Sequence, residues 1–425
     1  MRAKRAAFFV EHFPPYLGSD RTIFELGKRL PSKGYKVHYI VTQPLRYLLG
    51  RRPENWSYKK NWETGPPNVG KNISARYLLV PKILERLWIK TRILALPFTL
   101  LYFLVLSMGE IIRFKPDIVI SAHATPIVGV VAAFSSRLLR KPLIMGCPDW
   151  MTAYAVQLSG GKLTDVGPIF LQTLEVFLIR LARSSFTVTH YMKRILSSLG
   201  IRKDSIKVIP NGVDSDVFSD NFNQIELKKE YGLDGRIVVL YSGHIEDWAG
   251  VAIVETLTKR MASELPEAIL FFVGAGEAVD KVIALVENTG VSNQFCYGGM
   301  KPFSEMPRII ASADIALCIF PDSPVSHAAS PLKLFEYMGC GKAIVATSVA
   351  GTVEALTQDA GCLMEPGNID EICDKVLELC KDPEQRKEIG HKARDLVVHN
   401  YSWSVLSDEL ATLIAKTINN EKIVS

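Results

Sequence analysis

Residues 326–354 read SHAASPLKLFEYMGCGKAIVATSVAGTVE, a loop, a short helix and a strand in succession. Ser330-Pro331 has the form of a helix start, with Ser330 as N-cap and Pro331 as the first helical residue. Such a start leaves the first amide N–H groups and the positive end of the helix dipole, Leu332 included, open to the loop, which favours an anion there. Lys333 adds a full positive charge one turn inside, and Glu336 follows at i,i+3 spacing. A carboxylate repels phosphate but accepts the two hydroxyls of a ribose. Gly339 and Gly341 mark the helix end, and AIVATSVA reads as a buried strand that fixes the loop from behind. The combination points to a nucleotide diphosphate; on pattern alone, an ordinary helix–strand unit is the alternative.

Outward from this stretch, apolar runs alternate with helical segments. AAFFV at 6–10 leads through a Pro/Gly loop at 14–19 to a helix over 20–33, and KVHYIVT at 36–42 is the next strand. DIVISA (117–122), PLIMGC (142–147) and SFTVTH (185–190) follow, then IVVLYSG, AILFFVGAG, QFCYGG, DIALCIF, AIVATSV and GCLME. This β–α rhythm predicts parallel sheets with right-handed crossovers, whose ligands bind outside the carboxyl ends of the strands. Residues 50–75 are polar, rich in Pro, Gly and Asn and without periodicity, the pattern of a mobile loop over a cleft. A chain of 425 residues exceeds one ordinary core, so two domains are expected, and 48% hydrophobic residues suffice to fill both.

The seven cysteines, at 147, 296, 318, 340, 362, 373 and 380, form no CxxC or Cys/His spacing, which predicts free thiols in a reducing cytosol. MRAKRAAFFVEHFPP has basic residues, but its apolar run is only a strand long, so no signal peptide is expected. Charge is uneven: residues 1–115 hold 21 Lys/Arg against 7 Asp/Glu, although the whole chain is only +6. The first domain therefore seeks anionic surfaces. No basic-aromatic RNA motif or DNA-reading helix is present, so a nucleic-acid partner is the weakest choice. An anionic membrane fits better, because LLVPKILERLWIK (78–90) and ILALPFTLLYFLVLSMG (93–109) carry aromatics beside Lys82, Arg86, Lys90, Arg92 and Arg113. The second stretch contains Pro97 and is shorter than the roughly 20 apolar residues needed to span a bilayer. It reads as an interfacial helix, or simply as a helix packed on the first sheet. The expected location is peripheral, on the cytoplasmic face of a membrane.

The quoted stretch resembles the segment SPLKLFEYMxxGKPVVAT of family 4 retaining glycosyltransferases of the GT-B fold, in their SPLK-type branch. Six other segments match in the family's order: HFPPYLGSDRTIFELGKRLPSKGYKVHYIVT (12–42), VIPNGVD (208–214), VVLYSGHIEDWAGV (238–251), FFVGAGE (271–277), ASADIALCIF (311–320) and YSW (401–403). The resemblance implies an α/β protein with two Rossmann-like, doubly wound parallel-sheet domains facing a cleft. An acceptor-side domain would span 1–208 and a nucleotide-sugar domain 209–403, with a C-terminal helix in 404–425 returning to the first domain. It implies transfer of a sugar from a nucleotide-diphosphate sugar to a hydroxyl acceptor with retention. The acceptor is expected to be lipid-linked or a cell-surface glycan, and a lipid-linked one, such as a polyprenyl-diphosphate glycan, suits the basic, apolar first domain.

By position, the resemblance places Gly18, Ser19, Gly243, His244, Gly274, Gly276, Ser330, Pro331, Leu332, Lys333 and Glu336 at the donor. Ser19 or Asp20 would cap the first helix. His123, after DIVISA, would stand near the reacting sugar and act with Lys333 and Glu336 in catalysis; a structural histidine is the plain alternative. Asp149 in CPDW would orient the acceptor hydroxyl, or form a turn after Pro148. No metal and no other cofactor is expected to be obligatory. Two departures stand out. The family's GRxxxxKG-like clamp reads here Gly243-His244-Ile245-Glu246-Asp247-Trp248-Ala249-Gly250, with His for Arg and Ala for Lys, and the first glutamate of Glu-x7-Glu is Ala328. Either Lys333 and the helix start carry the phosphate charge, or the chain is a non-catalytic GT-B scaffold; an epimerase of the same fold is the enzyme alternative.

Overall fold

A computed structural model of the chain describes residues 2–11, 18–42, 72–78, 81, 84, 91–222, 224–244, 250–276, 278–357 and 359–421. The chain divides into two compact units, Met1–Pro210 with Leu406–Ser425, and Asn211–Val405. The boundaries expected from the sequence stand two residues earlier at both places.

The first unit is built on seven strands: β1 (Lys4–Val10), β2 (Tyr35–Val41), β3 (Ile73–Tyr77), β4 (Ile118–Ser121), β5 (Leu143–Cys147), β6 (Ser184–Thr187) and β7 (Ile206–Val208). Their order is β3-β2-β1-β4-β5-β6-β7, and every pair is parallel. The continuous apolar run of β1 explains its central place, because Ala6, Ala7, Phe8 and Phe9 are fully buried between two layers. The order reverses between β1 and β4, which makes their carboxyl ends the switch point. Two strands lie outside the sequence reading. β3 alternates partly buried and exposed residues because it is an edge strand, and its first residues fall inside the 50–75 stretch read as a loop. The remainder of that stretch, residues 50–71, lies outside the described residues, as does most of 78–90. β7 is a three-residue edge, too short to register as an apolar run.

The helix expected over 93–109 runs from Arg92 to Phe114, 23 residues with Pro97 inside, because Glu110 and Arg113 continue it past the apolar stretch. By length and composition Leu94–Phe114 is sufficient to cross a membrane. Its packing says what one face does: Ala95, Thr99, Phe103, Ser107 and Ile111 are buried at four-residue steps, while Leu94, Phe98, Leu101, Val105 and Ile112 are exposed. The buried stripe packs on the helix Val128–Leu138 and on β1 and β2.

The C-terminal helix Trp403–Asn419 joins the first unit through side chains that meet its amino-edge residues. Glu409 pairs with Lys207 at 2.8 Å, the Thr417 carbonyl accepts from Arg183 at 3.0 Å, and the Thr417 hydroxyl meets that of Ser184 at 2.9 Å.

The second unit carries β8 (Ile237–His244), β9 (Ala268–Ala275), β10 (Phe295–Gly299), β11 (Ile315–Cys318), β12 (Ala343–Thr347) and β13 (Cys362–Met364), all parallel, in the order β10-β9-β8-β11-β12-β13. Its switch point lies between β8 and β11. One core fills each face of this sheet, and Leu334, Phe335, Tyr337 and Met338 of the quoted stretch belong to one of them. The segments VIPNGVD and YSW pair with each other: Val213 donates to the Tyr401 carbonyl and accepts from the Trp403 N–H, each at 3.0 Å.

The stripe on the helix Arg92–Phe114 is testable. Phe103→Ala is expected to cost about 3–5 kcal/mol in chemical unfolding, and Phe98→Ala to stay within about 0.5 kcal/mol. Equal losses would mean that the helix has no solvent-facing side.

Candidate functional site

In the first unit the carboxyl ends of β1, β4 and β5 deliver Glu11, His123 and Asp149 to one place. The helix Gly18–Arg29 adds Asp20 from its first turn. The His123 imidazole Nε2 lies 3.4 Å from Asp20 Oδ1, and Thr125 donates to Glu11 Oε1 at 2.9 Å. The Ser121 hydroxyl donates to the His123 carbonyl at 2.9 Å, which holds the strand end that carries the ring. His123 is only 6% exposed. Burial alone pulls its pKa down, but the hydrogen bond and charge of Asp20, then the charges of Glu11 and Asp149, outweigh it and raise the pKa to about 9. A charged imidazolium inside a ring of carboxylates is therefore the resting state at neutral pH. Asp149 is half-buried and lines a small cavity with His123, Trp150, Gln172 and Glu175. Glu175, buried at the end of a hydrogen bond from Thr152, is pushed up to about 7 by burial.

Gly18 and Ser19 open the helix Gly18–Arg29, so neither Ser19 nor Asp20 is its N-cap. Asp20 is already inside the helix and turns its carboxylate to His123. The preceding loop, 12–17, lies outside the described residues.

In the second unit the quoted stretch sits at the carboxyl edge. The helix starts at Leu332, with Pro331 as an N-cap that has no side-chain bond. Ser330 is thus not the cap. Its hydroxyl accepts the Asn211 backbone N–H at 3.1 Å and its carbonyl accepts from the Asn211 side chain, a tie that the 119-residue separation hides from local reading. Gly341 takes the left-handed conformation, φ 61°, that closes the helix after Cys340.

Lys333 reaches over the end of β8. Its ammonium lies 3.4 Å from the Ser242 carbonyl, 4.8 Å from the Tyr241 ring centroid and 4.9 Å from that of Phe320. A Cβ at Gly243 would stand 3.8 Å from it. Gly243 (φ 115°) and Gly274 (φ 156°) are opposite each other at the ends of β8 and β9, and a Cβ on Gly274 would stand 1.8 Å from the Gly243 carbonyl oxygen. Two bare backbones therefore meet beside the ammonium. Gly276 follows in the same loop, and His244, exposed, ends β8. Residues 245–249, where the family's lysine position is Ala249, lie outside the described residues. Glu336, 7% exposed, is one turn beyond Lys333 on the same helix. Ala328, in place of the first glutamate, is 1% exposed. Lys342 is a structural staple: buried, it donates to the Ala311 and Ala313 carbonyls at 2.7 and 3.0 Å.

Sequence reading passed over His327. Its Nδ1 accepts the Ala350 N–H at 3.0 Å, so Nε2 carries the proton and faces Asp322 at 2.7 Å. Beside it, Gly351 lets the helix Ala350–Ala355 approach the loop, because a Cβ there would lie 2.0 Å from the Ala329 carbonyl oxygen. His327 belongs to a short helix, Pro324–Ala328, where the sequence reads as loop, so the connecting loop is only 329–331 and is held from both sides. Also passed over is the Asp-x-Asp pair Asp214-Ser215-Asp216. It forms a turn in which the Asp214 carbonyl accepts from Val217 and Phe218, and among the described residues no cluster of three His, Cys, Asp or Glu is placed to hold a metal ion.

Two family models match: Glycosyltransferase Family 4 over residues 17–217 and Glycosyl transferases group 1 over 223–396. N-acetyl-alpha-D-glucosaminyl L-malate synthase of Bacillus anthracis is 25% identical over 220 residues, 51% of this chain and 55% of that protein. GDP-mannose-dependent alpha-(1-6)-phosphatidylinositol monomannoside mannosyltransferase of Mycobacterium tuberculosis is 24% identical over 234 residues, 54% of this chain and 60% of that protein. The match therefore spans a little over half the length of these curated relatives. The crystal structure of Anabaena HepE in complex with UDP superposes with a TM-score of 0.70 over 97% of this chain and 100% of that one, at 16% identity, a likeness of fold.

The charge on His123 predicts a pH signature. Its pKa is raised from an unfolded value of about 6.5, so the pair's stabilisation is complete below that pH and is lost as pH rises through about 9. The stability difference between wild type and His123→Asn is expected to shrink by roughly 1–3 kcal/mol from pH 6 to pH 9.5 in urea titrations. A difference independent of pH would show that the buried ring is neutral.

Proposed function

Because the chain belongs to the family 4, group 1 glycosyltransferases and carries their GT-B fold, we propose that it transfers a glycosyl group from a nucleoside-diphosphate sugar to a hydroxyl acceptor with retention. The observation that carries this reading is the Lys333 ammonium, held by a carbonyl and two aromatic faces above the bare backbone of Gly243, at the switch point of the second sheet. As the anomeric C–O bond breaks, the leaving diphosphate gains negative charge. Lys333, the amides of Leu332 and Lys333 at the helix start, and His244 supply the compensation that the absent Arg/Lys clamp supplies elsewhere in the family. Glu336 accepts the ribose hydroxyls, and Gly274 and Gly276 admit the diphosphate close to backbone.

In the first unit, His123 as imidazolium donates a hydrogen bond to a sugar hydroxyl, and Asp149 orients the acceptor. The acceptor oxygen attacks the face that the diphosphate leaves, and its proton passes to the departing phosphate oxygen. This route needs no pair of carboxylates of glycosidase type and routes no step through a metal. The acceptor is a lipid-linked hydroxyl, such as a polyprenyl-borne glycan, and the protein sits peripherally on the cytoplasmic face of an anionic membrane. The basic balance of residues 1–115 and the exposed apolar side of the helix Arg92–Phe114 support that location. The lipid-borne acceptor in the name of the Mycobacterium relative supports the acceptor class.

Thermal shifts against UDP-, GDP-, ADP- and dTDP-sugars identify the donor, and release of the diphosphate with a lipid-linked acceptor tests transfer. Donor binding without sugar release would leave a scaffold subunit, and conversion of the sugar without acceptor an epimerase. Lys333→Ala is expected to lower turnover by about 10²–10³ while the melting temperature holds. Glu336→Gln should weaken donor binding by about 1–3 kcal/mol in titration calorimetry. Wild-type turnover in Lys333→Ala would place the phosphate clamp elsewhere.

A further inference from the structure

We propose that a basic cavity at the amino edge of the first sheet seats the phosphates of anionic phospholipid, so that this edge and the three helices beside it form the membrane-docking surface. The proposal rests on the peripheral location above and assigns it a site. The cavity encloses about 740 Å³ and is lined by Arg137, Arg140, Lys141, Arg180, Arg183 and Arg202, with no carboxylate in its wall. Its residues come from the segments that lead into β5, β6 and β7, at the opposite edge from His123 and Asp149. The five residues of β5 separate the two edges by about 16 Å, so the cavity is not part of the acceptor site.

Among the described residues no carboxylate pairs with Arg137, Arg140, Lys141, Arg180 or Arg183. Arg180 and Arg183 are held only by the Leu199 and Thr417 carbonyls, at 3.1 and 3.0 Å, which orients the guanidinium groups without neutralising them. Arg202 has one partner, Asp204 at 3.8 Å, on an exposed rim. Arg140 moreover stands at φ 52°, a left-handed position where glycine or asparagine is cheaper. Six cations around one hollow repel each other, and the fold gains nothing visible from the arrangement until an anion with several oxygens fills it.

The surroundings identify the anion's carrier. The helices Arg92–Phe114, Val128–Leu138 and Val166–Leu181 lie side by side, the middle one touching both others. They carry twelve of the twenty exposed large hydrophobics among the described residues, including Phe98 at 60%, Leu101 at 59% and Phe170 at 70%. On the second helix Phe134 and Leu138 flank Arg137; on the third Phe177 is one turn from Arg180. A soluble phosphate needs the cations and has no use for the apolar faces, whereas a phospholipid uses both.

Flotation of the full-length protein with phosphatidylcholine vesicles, with and without phosphatidylglycerol, tests this. Wild type should float with the phosphatidylglycerol vesicles. Arg137→Glu with Arg140→Glu should lower that partitioning at least about 30-fold, Arg137→Lys with Arg140→Lys should restore it, and the donor-induced thermal shift should be unchanged in all three proteins. Undiminished flotation of the charge-reversed protein overturns the cavity and leaves the peripheral location standing. Failure of wild type to float overturns the location itself. Stabilisation of wild type by inorganic pyrophosphate without vesicles that is lost in the charge-reversed protein, together with unchanged flotation of wild type in its presence, would assign the cavity to a soluble ligand and overturn the proposal.

Discussion

A sheet in which every strand runs the same way has two chemically different edges, and both sheets of this protein are of that kind. Carboxyl ends gather on one edge, together with the loops that precede each crossover helix, and amino ends gather on the other. Glu11, His123 and Asp149 meet because β1, β4 and β5 are neighbours that all end there. Lys333 meets Gly243 because the helix Leu332–Gly339, on the crossover from β11 to β12, starts at the carboxyl edge where β8 ends. Antiparallel pairing of even one of these strands would send its terminal residues to the far edge and dissolve the cluster.

The two clusters handle charge in opposite ways. His123 is buried, and burial opposes its proton; it holds that proton because three carboxylates surround it. Lys333 remains half-buried and is held by π faces and a carbonyl, partners that fix its position but do not neutralise it. The first arrangement keeps a cation satisfied in the absence of substrate. The second keeps one unsatisfied, which suits the binding of an anion and the stabilisation of charge as it develops.

Much of this was legible in the chain because local rules and tertiary structure agree. The apolar runs of β1, β5, β8 and β12 are strands because they are buried on both faces, and AIVATSV ends within two residues of its expected limit. The misreadings occur where a distant partner outranks a local one. Ser330 looks like a cap, but its hydroxyl serves Asn211; Asp20 looks like a cap, but its carboxylate serves His123, 103 residues away. β3 escaped because an edge strand need not be apolar. The helix Arg92–Phe114 was cut short because its charged last turn broke the apolar run without breaking the helix. His327 carried no signal, since its role depends on where Ala350 starts a helix.

The same separation of edges constrains how a membrane-docked unit could serve a lipid-borne acceptor. If only the amino edge touched the bilayer, the acceptor would have to rise about 16 Å along β5 to reach His123 and Asp149. The helix Arg92–Phe114 removes the difficulty. At 1.5 Å per residue its 23 residues extend about 35 Å, longer than any strand of the sheet it covers. Lying in the interface along its exposed apolar side, it would hold both edges of the unit close to the headgroups at once. The basic cavity would then anchor one end of the unit while the carboxyl edge stays within reach of a lipid-linked hydroxyl. A helix inserted across the bilayer would instead take its buried stripe, Ala95 to Ile111, away from the helix Val128–Leu138, exposing Thr99 and Ser107 to hydrocarbon and β1 to water.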